Sequence, residues 1–373
     1  MNASSAPAAV VDLDDVDGLI AADRMGLLRA ASMAGAQMRA VASALDEGEL
    51  DAVRSDAPPR TVVWVSGPGP AGNAGAMLAA ALGGSVSTPI VVASEAPPWI
   101  GALDVLIIAG DDAGDPLLVA AAAMGVRRGA RVVVVAPYEG PLRDATAGRS
   151  VALPPRLQVP DDFTLTHYLA AGMAALQVLV AGRQWDLAGL ADELDAEALR
   201  NSARHELFTN PAKGMAEQMA GRDVVFAGDT APFLALAWHA CSVMLRVAHK
   251  TVSAVGLADA LIAIGTGWGR DSGGQDERSI FHDEDIDGPL PHRTRTLVLT
   301  TDAQRPALTA RLMGFSDVHI INSNDVPDPL QDAVTGDQGM PGPAPGMGSL
   351  EQQLALLAVR IEMAAVYQRL VRG

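Results

Sequence analysis

The feature that constrains this chain most is the stretch DVLIIAGDDAGDPLLVAAAAMGVRRGARVVVVAP, residues 104–137. An unbroken apolar run at 105–109 is followed by an acidic, glycine-containing turn, an alanine-rich segment at 116–124, and a second β-branched run at 132–135. Those lengths and that punctuation spell strand, helix, strand. Continuous rather than alternating apolar residues are what a strand covered on both faces requires. The unit therefore belongs to a parallel sheet with a right-handed helical crossover. Ligands of such sheets bind beyond the carboxyl ends of the strands, where Gly110, Asp111, Asp112, Ala113, Gly114 and Asp115 fall.

The same grammar recurs on both sides of this unit. Upstream, 61–65 and 89–93 read as strands with a helix at about 74–82 between them, and the proline-interrupted 151–159 reads as an edge strand. Helical spacing covers 11–44 as one or two helices, then 165–180 and 185–207. A second set follows, with strands at 224–227, 252–255, 295–300 and 318–322 and helices at 232–247 and 303–313. Two similar halves point to a duplicated α/β architecture. We expect an acidic N-terminal segment at 1–28, domains at 29–190 and 191–330, a Pro/Gly-rich linker at 331–348, and a docking helix at 349–373 capped by Ser349. Residues 265–293 read as a long surface loop.

With 373 residues, 49% of them hydrophobic, the chain can bury a large core. Its net charge of −17 opposes attraction to nucleic acid or anionic membrane surfaces, so neither is an expected partner. Cys241 is the sole cysteine, which excludes an intramolecular disulfide and any multi-cysteine metal site. A small buried thiol is the expectation there. The opening residues lack a basic start and an apolar core, and no run reaches membrane-spanning length; a cytoplasmic protein is expected.

Gly67, Gly69 and Gly72 form a G-x-G-x-x-G between a strand and a helix, with Glu95 near the end of the next strand. That pattern fits a dinucleotide site, but other anion-binding α/β folds need the same tight turn and exposed amides, and we expect no cofactor. In GDDAGDP the aspartates suit the helix start as caps and occupy the place an incoming anion would take. Asp283, Asp285, Asp287 and Gly288 copy the start of a calcium loop, but Thr294 stands where a bidentate glutamate is required, and no metal site is expected. His239 and His249 are read on one helix, ten residues apart; they and the other histidines read as surface or capping residues.

These halves resemble the sugar isomerase (SIS) fold, and more closely the bifunctional phosphoglucose/phosphomannose isomerases, especially actinobacterial TobH-like members. The likeness runs from about Arg29 onward. Against the family turn GMGGSGIAG, the sequence GPGPAGNAG keeps Gly67, Gly69, Gly72, Ala74 and Gly75. Pro97, the run Asn210, Pro211, Ala212, Lys213, the loop FHDEDIDGPLPHRTR and the final helix also match. The resemblance implies two SIS domains, each a doubly wound parallel sheet flanked by helices, a homodimer, and a sugar-phosphate or other carbohydrate-derivative ligand held by Gly67, Gly69, Gly72, Gly75 and Gly114.

The family's reacting groups are replaced. Asp111, Ala113 and Pro116 stand where SYSGNT offers two serines and a threonine, and Pro160-Asp161 where the family has Pro-Arg. Met244 lies where a glutamate base is expected, VSAVGLADALI replaces a histidine-bearing PELNHNE-like run, and the family's terminal lysine would fall beyond Gly373. A binding or regulatory role is therefore expected. An active isomerase would have to use Lys213, His239 or Glu95, and an NAD(P)-binding protein would use Gly67 to Gly72.

Overall fold

The computed structural model describes residues 11–372 apart from 181, 183, 267, 269–292, 316 and 325–347. The calcium-like run and nearly all of the two long loops therefore lie outside the described residues.

Five parallel strands, β1 (Thr61–Ser66), β2 (Ile90–Ala93), β3 (Asp104–Ala109), β4 (Arg131–Val135) and β5 (Ser150–Ala152), form the first sheet in the order β2-β1-β3-β4-β5. The second sheet has β6 (Asp223–Gly228), β7 (Ser253–Gly256), β8 (Thr294–Leu299) and β9 (Val318–Ile321) in the order β7-β6-β8-β9, also parallel. The two halves thus repeat one topology. In each, strand order reverses beside the first strand, which opens a crevice at the carboxyl edge there.

Thirteen helices cover the sheets among the described residues: α1 (Val16–Ala22), α2 (Leu27–Ala31), α3 (Ala34–Asp46), α4 (Pro70–Leu82), α5 (Pro116–Arg128), α6 (Gly140–Thr146), α7 (Leu165–Leu179), α8 (Leu187–Arg200), α9 (Pro211–Met219), α10 (Ala231–Arg246), α11 (Leu257–Gly265), α12 (Arg305–Leu312) and α13 (Leu350–Arg372). Alternate residues of β1, β3 and β4 face opposite ways, and both directions are apolar. Val63, Leu106 and Val132 pack toward α5, while Val62, Trp64 and Val105 join a core with α4 and α7. That core continues through Phe226 and Leu297 of the second sheet to α10 and α13. The inner faces of both sheets therefore share one interior, and α13 runs through it, buried on nearly every side.

Several boundaries differ from the sequence reading. The helix expected at 74–82 starts at Pro70, because proline suits the first helical turn and Gly69, at φ 109°, supplies the bend before it. The 11–44 stretch forms three helices, broken at Asp23, whose carboxylate accepts from Leu27 and Leu28 amides, and again at Ser32–Met33. Helix 185–207 stops at Arg200, where Asn201 turns its amide back onto the Glu197 carbonyl at 2.9 Å. The 151–159 edge strand shortens to β5, which ends before Pro154 and Pro155. His249 is not on the helix of His239: α10 ends at Arg246 and His249 has φ 52°. Helices α6, α9 and α11 were not anticipated. In α9, Asn210 caps by accepting from the Lys213 amide at 3.0 Å, which gives the Asn-Pro-Ala-Lys run a local physical meaning. Ser349 does cap α13, accepting from the Gln352 amide at 3.3 Å.

Candidate functional site

The crevice of the first sheet lies between the turns that follow β1 and β3. In the first turn, a side chain on Gly67 would point toward Asp115 Oδ2 at 3.8 Å, and one on Gly69 toward Arg246 Nη1 at 3.6 Å. These two glycines border the opening. Gly72 and Gly75 instead let α4 close onto its own strand. A Cβ on Gly72 would stand 2.8 Å from the Gly67 carbonyl oxygen, and one on Gly75 would stand 2.4 Å from the Trp64 indole. Pro68 and Pro70 lack N–H groups, so this turn offers few donors to an anion.

The second turn is occupied by its own carboxylates. Asp112 Oδ1 accepts from the Gly114 amide at 2.7 Å, and Asp115 Oδ1 accepts from the Leu117 amide at 2.8 Å, capping α5. Pro116 has no N–H to give. Two of the backbone donors that a phosphoryl group would seek at a helix N-terminus, the Gly114 and Leu117 amides, are thus taken by negative charge from the chain itself. Gly114 fits tightly in this arrangement, a Cβ there being 3.1 Å from Asp112 Oδ1.

Arg246, on α10 of the second half, reaches to Asp162 of the first, Nε to Oδ1 2.7 Å. In the core that joins the halves is a buried couple the sequence reading missed: His239 Nε2 lies 3.0 Å from Glu362 Oε1, each side chain 1% exposed. Burial raises the Glu362 carboxyl, and the His239 contact pulls it back. His239 Nδ1 has no partner. The available signal was Glu362 itself, a charge within a helix that is apolar nearly all round, which has to find a partner when that helix is buried.

Lys213 and Glu95 are elsewhere. Lys213 is fully buried, its Nζ donating to the Ala203 and His205 carbonyls at 2.9 and 2.7 Å, so it clamps the turn after α8. Burial lowers its amine. Glu95 is exposed just past β2. His167 and His239 are core residues, not surface or capping ones as expected, because α7 and α10 are buried where they pack between the layers. Cys241 is half-buried; its thiol, donating to the Val252 carbonyl, is pushed up to about 11 by burial.

Beside the crevice a cavity of about 480 Å³ opens between α3, α7 and the 155–161 segment. Asp111, Asp161, His167 and Tyr168 line it, with Leu157, Val159 and several prolines as apolar wall. His167 is 5% exposed, its Nε2 has no partner, and burial pushes its pKa down to about 4. Arg156 lines the rim but is held by Glu47 at 2.6 Å and by Glu49. Chemically the region is an acidic opening with apolar walls and one neutral buried imidazole.

No protein-family model matches the sequence, and no curated protein matches it. Solved structures do. Tagatose-6-phosphate ketose/aldose isomerase from Escherichia coli superposes with a TM-score of 0.59 at 14% identity, over 99% of this chain and 95% of that one. The C-terminal domain of glucosamine-fructose-6-phosphate aminotransferase from Francisella tularensis gives 0.54 at 9% identity, over 99% and 98%. A glucose-6-phosphate isomerase like protein from Thermus thermophilus gives 0.50 at 20%, over 97% and 96%. This chain has the fold of the SIS-domain phosphosugar isomerases, two parallel sheets flanked by helices.

Proposed function

We propose that the protein binds a carbohydrate derivative in a non-catalytic or regulatory role and does not isomerise hexose 6-phosphates. The reading places it beside the actinobacterial TobH-like members of the phosphoglucose/phosphomannose isomerase family, with SIS domains at 29–190 and 191–330. The observation that carries it is the closure of the β3–α5 turn by Asp112 and Asp115 on the Gly114 and Leu117 amides. Losing a positioned base alone costs about two to four orders of magnitude in rate, and here the phosphate donors are missing as well. The relatives of known structure named above support a sugar-directed site; the turn argues against a phosphate in it.

A coupled assay on fructose 6-phosphate tests the reading. It predicts no enzyme-dependent glucose 6-phosphate or mannose 6-phosphate, and robust formation of either contradicts it. The protein is further proposed to work as a cytoplasmic homodimer. Trp238 and Leu245, 50% and 57% exposed on one face of α10, support self-association. Light scattering after size exclusion reads the mass directly, and a monomer at micromolar concentration would remove that part of the proposal.

A further inference from the structure

Positive charge gathers at one place in this acidic chain, the amino edge of the second sheet. Arg222 immediately precedes β6, Arg295 is the second residue of β8, and Asp317 immediately precedes β9. Thr296 stands beside Val318 and Leu297 beside His319, so Arg295 stands beside Asp317. Residues 295, 297, 317 and 319 therefore share one sheet face, with His319 a diagonal neighbour of Arg295 at about 8 Å between Cα atoms. Two guanidinium groups meet one carboxylate there: Arg222 Nη1 lies 3.3 Å and Arg295 Nη2 3.6 Å from Asp317 Oδ1. Arg295 is the odd member. Its side chain is 10% exposed, yet it makes no hydrogen bond among the described residues. Nε is enclosed and without a partner; the Nη pair is the part that a group from solvent can reach. Burial, and after it the charge of Arg222, lowers the Arg295 guanidinium. A desolvated cation without hydrogen bonds is costly, and a bound oxyanion offsets that cost through two parallel bonds to the fork.

His319 carries the cluster into a groove between β9 and α9. The groove holds about 660 Å³, within the ~300–1,000 Å³ range of small-molecule sites. Phe208, Met215 and Ile321 give it apolar wall, and Asn210 and Gln218 give it amides. Its acids, Asp14 and Glu217, come from the chain before α1 and from α9, so the sheet side is the one that suits an anion. Burial, and after it the charges of Arg295 and Arg222, lower the His319 imidazole, which is therefore neutral at pH 7 with one N–H to donate. We propose that the amino edge of the second sheet is an oxyanion site: Arg295 and Arg222 take the carboxylate or phosphoryl group of a small polar molecule whose uncharged body lies in the groove past His319. The site is on the other half of the chain and at the opposite sheet edge from the crevice, so it goes beyond the proposed function and does not depend on it.

Calorimetric titration of the full chain at neutral pH and low salt with glycerol 3-phosphate, D-glycerate and glycerol tests it. At least one charged probe is expected to bind about tenfold tighter than glycerol or better, the scale of one charge-assisted hydrogen bond, and the tighter of the two names the group. Arg295→Met and Arg222→Gln should each erase that preference. Asp317→Asn, which removes the competing carboxylate, should tighten the charged probes several-fold. A purely structural arginine is told apart by the thermal midpoint of the free protein: Arg295→Met gives up no hydrogen bond and should leave it unchanged or raised. A fall of more than about 3 °C in that variant overturns the proposal. So do equal binding of charged and neutral probes, no binding of any, a preference that survives both arginine substitutions, and weaker binding in Asp317→Asn. None of these results alters the outcome of the fructose 6-phosphate assay, which tests the proposed function separately.

Discussion

The carboxyl edges of the two sheets begin from one topology and spend their aspartates differently. At the second sheet, Asp302 Oδ1 accepts from Asn322 Nδ2 and the Asn324 amide at 2.7 and 3.2 Å, and its Oδ2 from Ser323 Oγ and Asn324 Nδ2 at 2.7 and 2.8 Å. Asp229 is bonded to the Thr300 hydroxyl. Arg360 of α13 then locks the same loop, donating to the Asn322 and Ser323 carbonyls and to Glu197 Oε1 at 2.7, 2.8 and 2.7 Å. At the first sheet, Asp112 and Asp115 close a turn, but Asp111 and Asp161 are left facing a cavity. Satisfied carboxylates hold a fold together; unsatisfied ones at an open edge are available for something that arrives. On this comparison Asp302 serves the scaffold of the second edge, and we propose the first edge as the site.

The comparison is broken or sharpened first at Arg360. Arg360→Met removes one of the two guanidinium partners of buried Glu197, leaving Arg200 on Oε2, and orphans the Asn322 and Ser323 carbonyls; it should cost about 3 kcal/mol in urea unfolding. A loss below about 1 kcal/mol would show that the second edge does not depend on it. Next is a pH effect at the first edge. Because burial moves His167 from 6.5 to about 4, its neutral form is favoured by the fold: the contribution is complete above about 6.5 and disappears as pH falls toward 4. Wild type should therefore lose on the order of 3 kcal/mol more than His167→Gln between neutral pH and pH 4. Parallel pH–stability curves for the two proteins would mean the imidazole is not desolvated.

Smaller effects separate the aspartates. Asp302→Ala, which orphans the donors on both oxygens, should cost about 2 kcal/mol, whereas Asp111→Ala should stay within about 0.5 kcal/mol. Equal losses would erase the distinction between the edges. Smallest among the destabilising changes, Asp115→Ala should cost about 1 kcal/mol through the lost α5 cap, read as a shift in thermal midpoint.

Much of this was legible in the sequence where the chemistry is local. Both faces of β1, β3 and β4 are apolar, so the runs themselves announced a covered parallel sheet. The acidic turn named its own caps, since Asp112 and Asp115 act two residues along the chain. What was hidden depends on distant packing. Glu362 meets a histidine 123 positions away, and Arg360 meets Glu197 across 163. His167 looked like an isolated histidine because the packing of α7 against α3 and α4, which are remote in sequence, is what buries that helix. Lys213 looked like a candidate catalyst because a lone lysine in a matched run gives no sign that two carbonyls hold it. The split of helix 185–207 was missed for a different reason: Asn201 and Asn210 act as helix stop and start only in a folded turn that Lys213 pins.

The central claim is that aspartate has taken the place of phosphate at the first edge, and it is tested most directly by a crystal soaked in fructose 6-phosphate. The account predicts Asp112 and Asp115 still bonded to the Gly114 and Leu117 amides, with no phosphoryl group at residues 111–116. Phosphoryl oxygens seated about 3 Å from those amides, with the carboxylates swung aside, would contradict it.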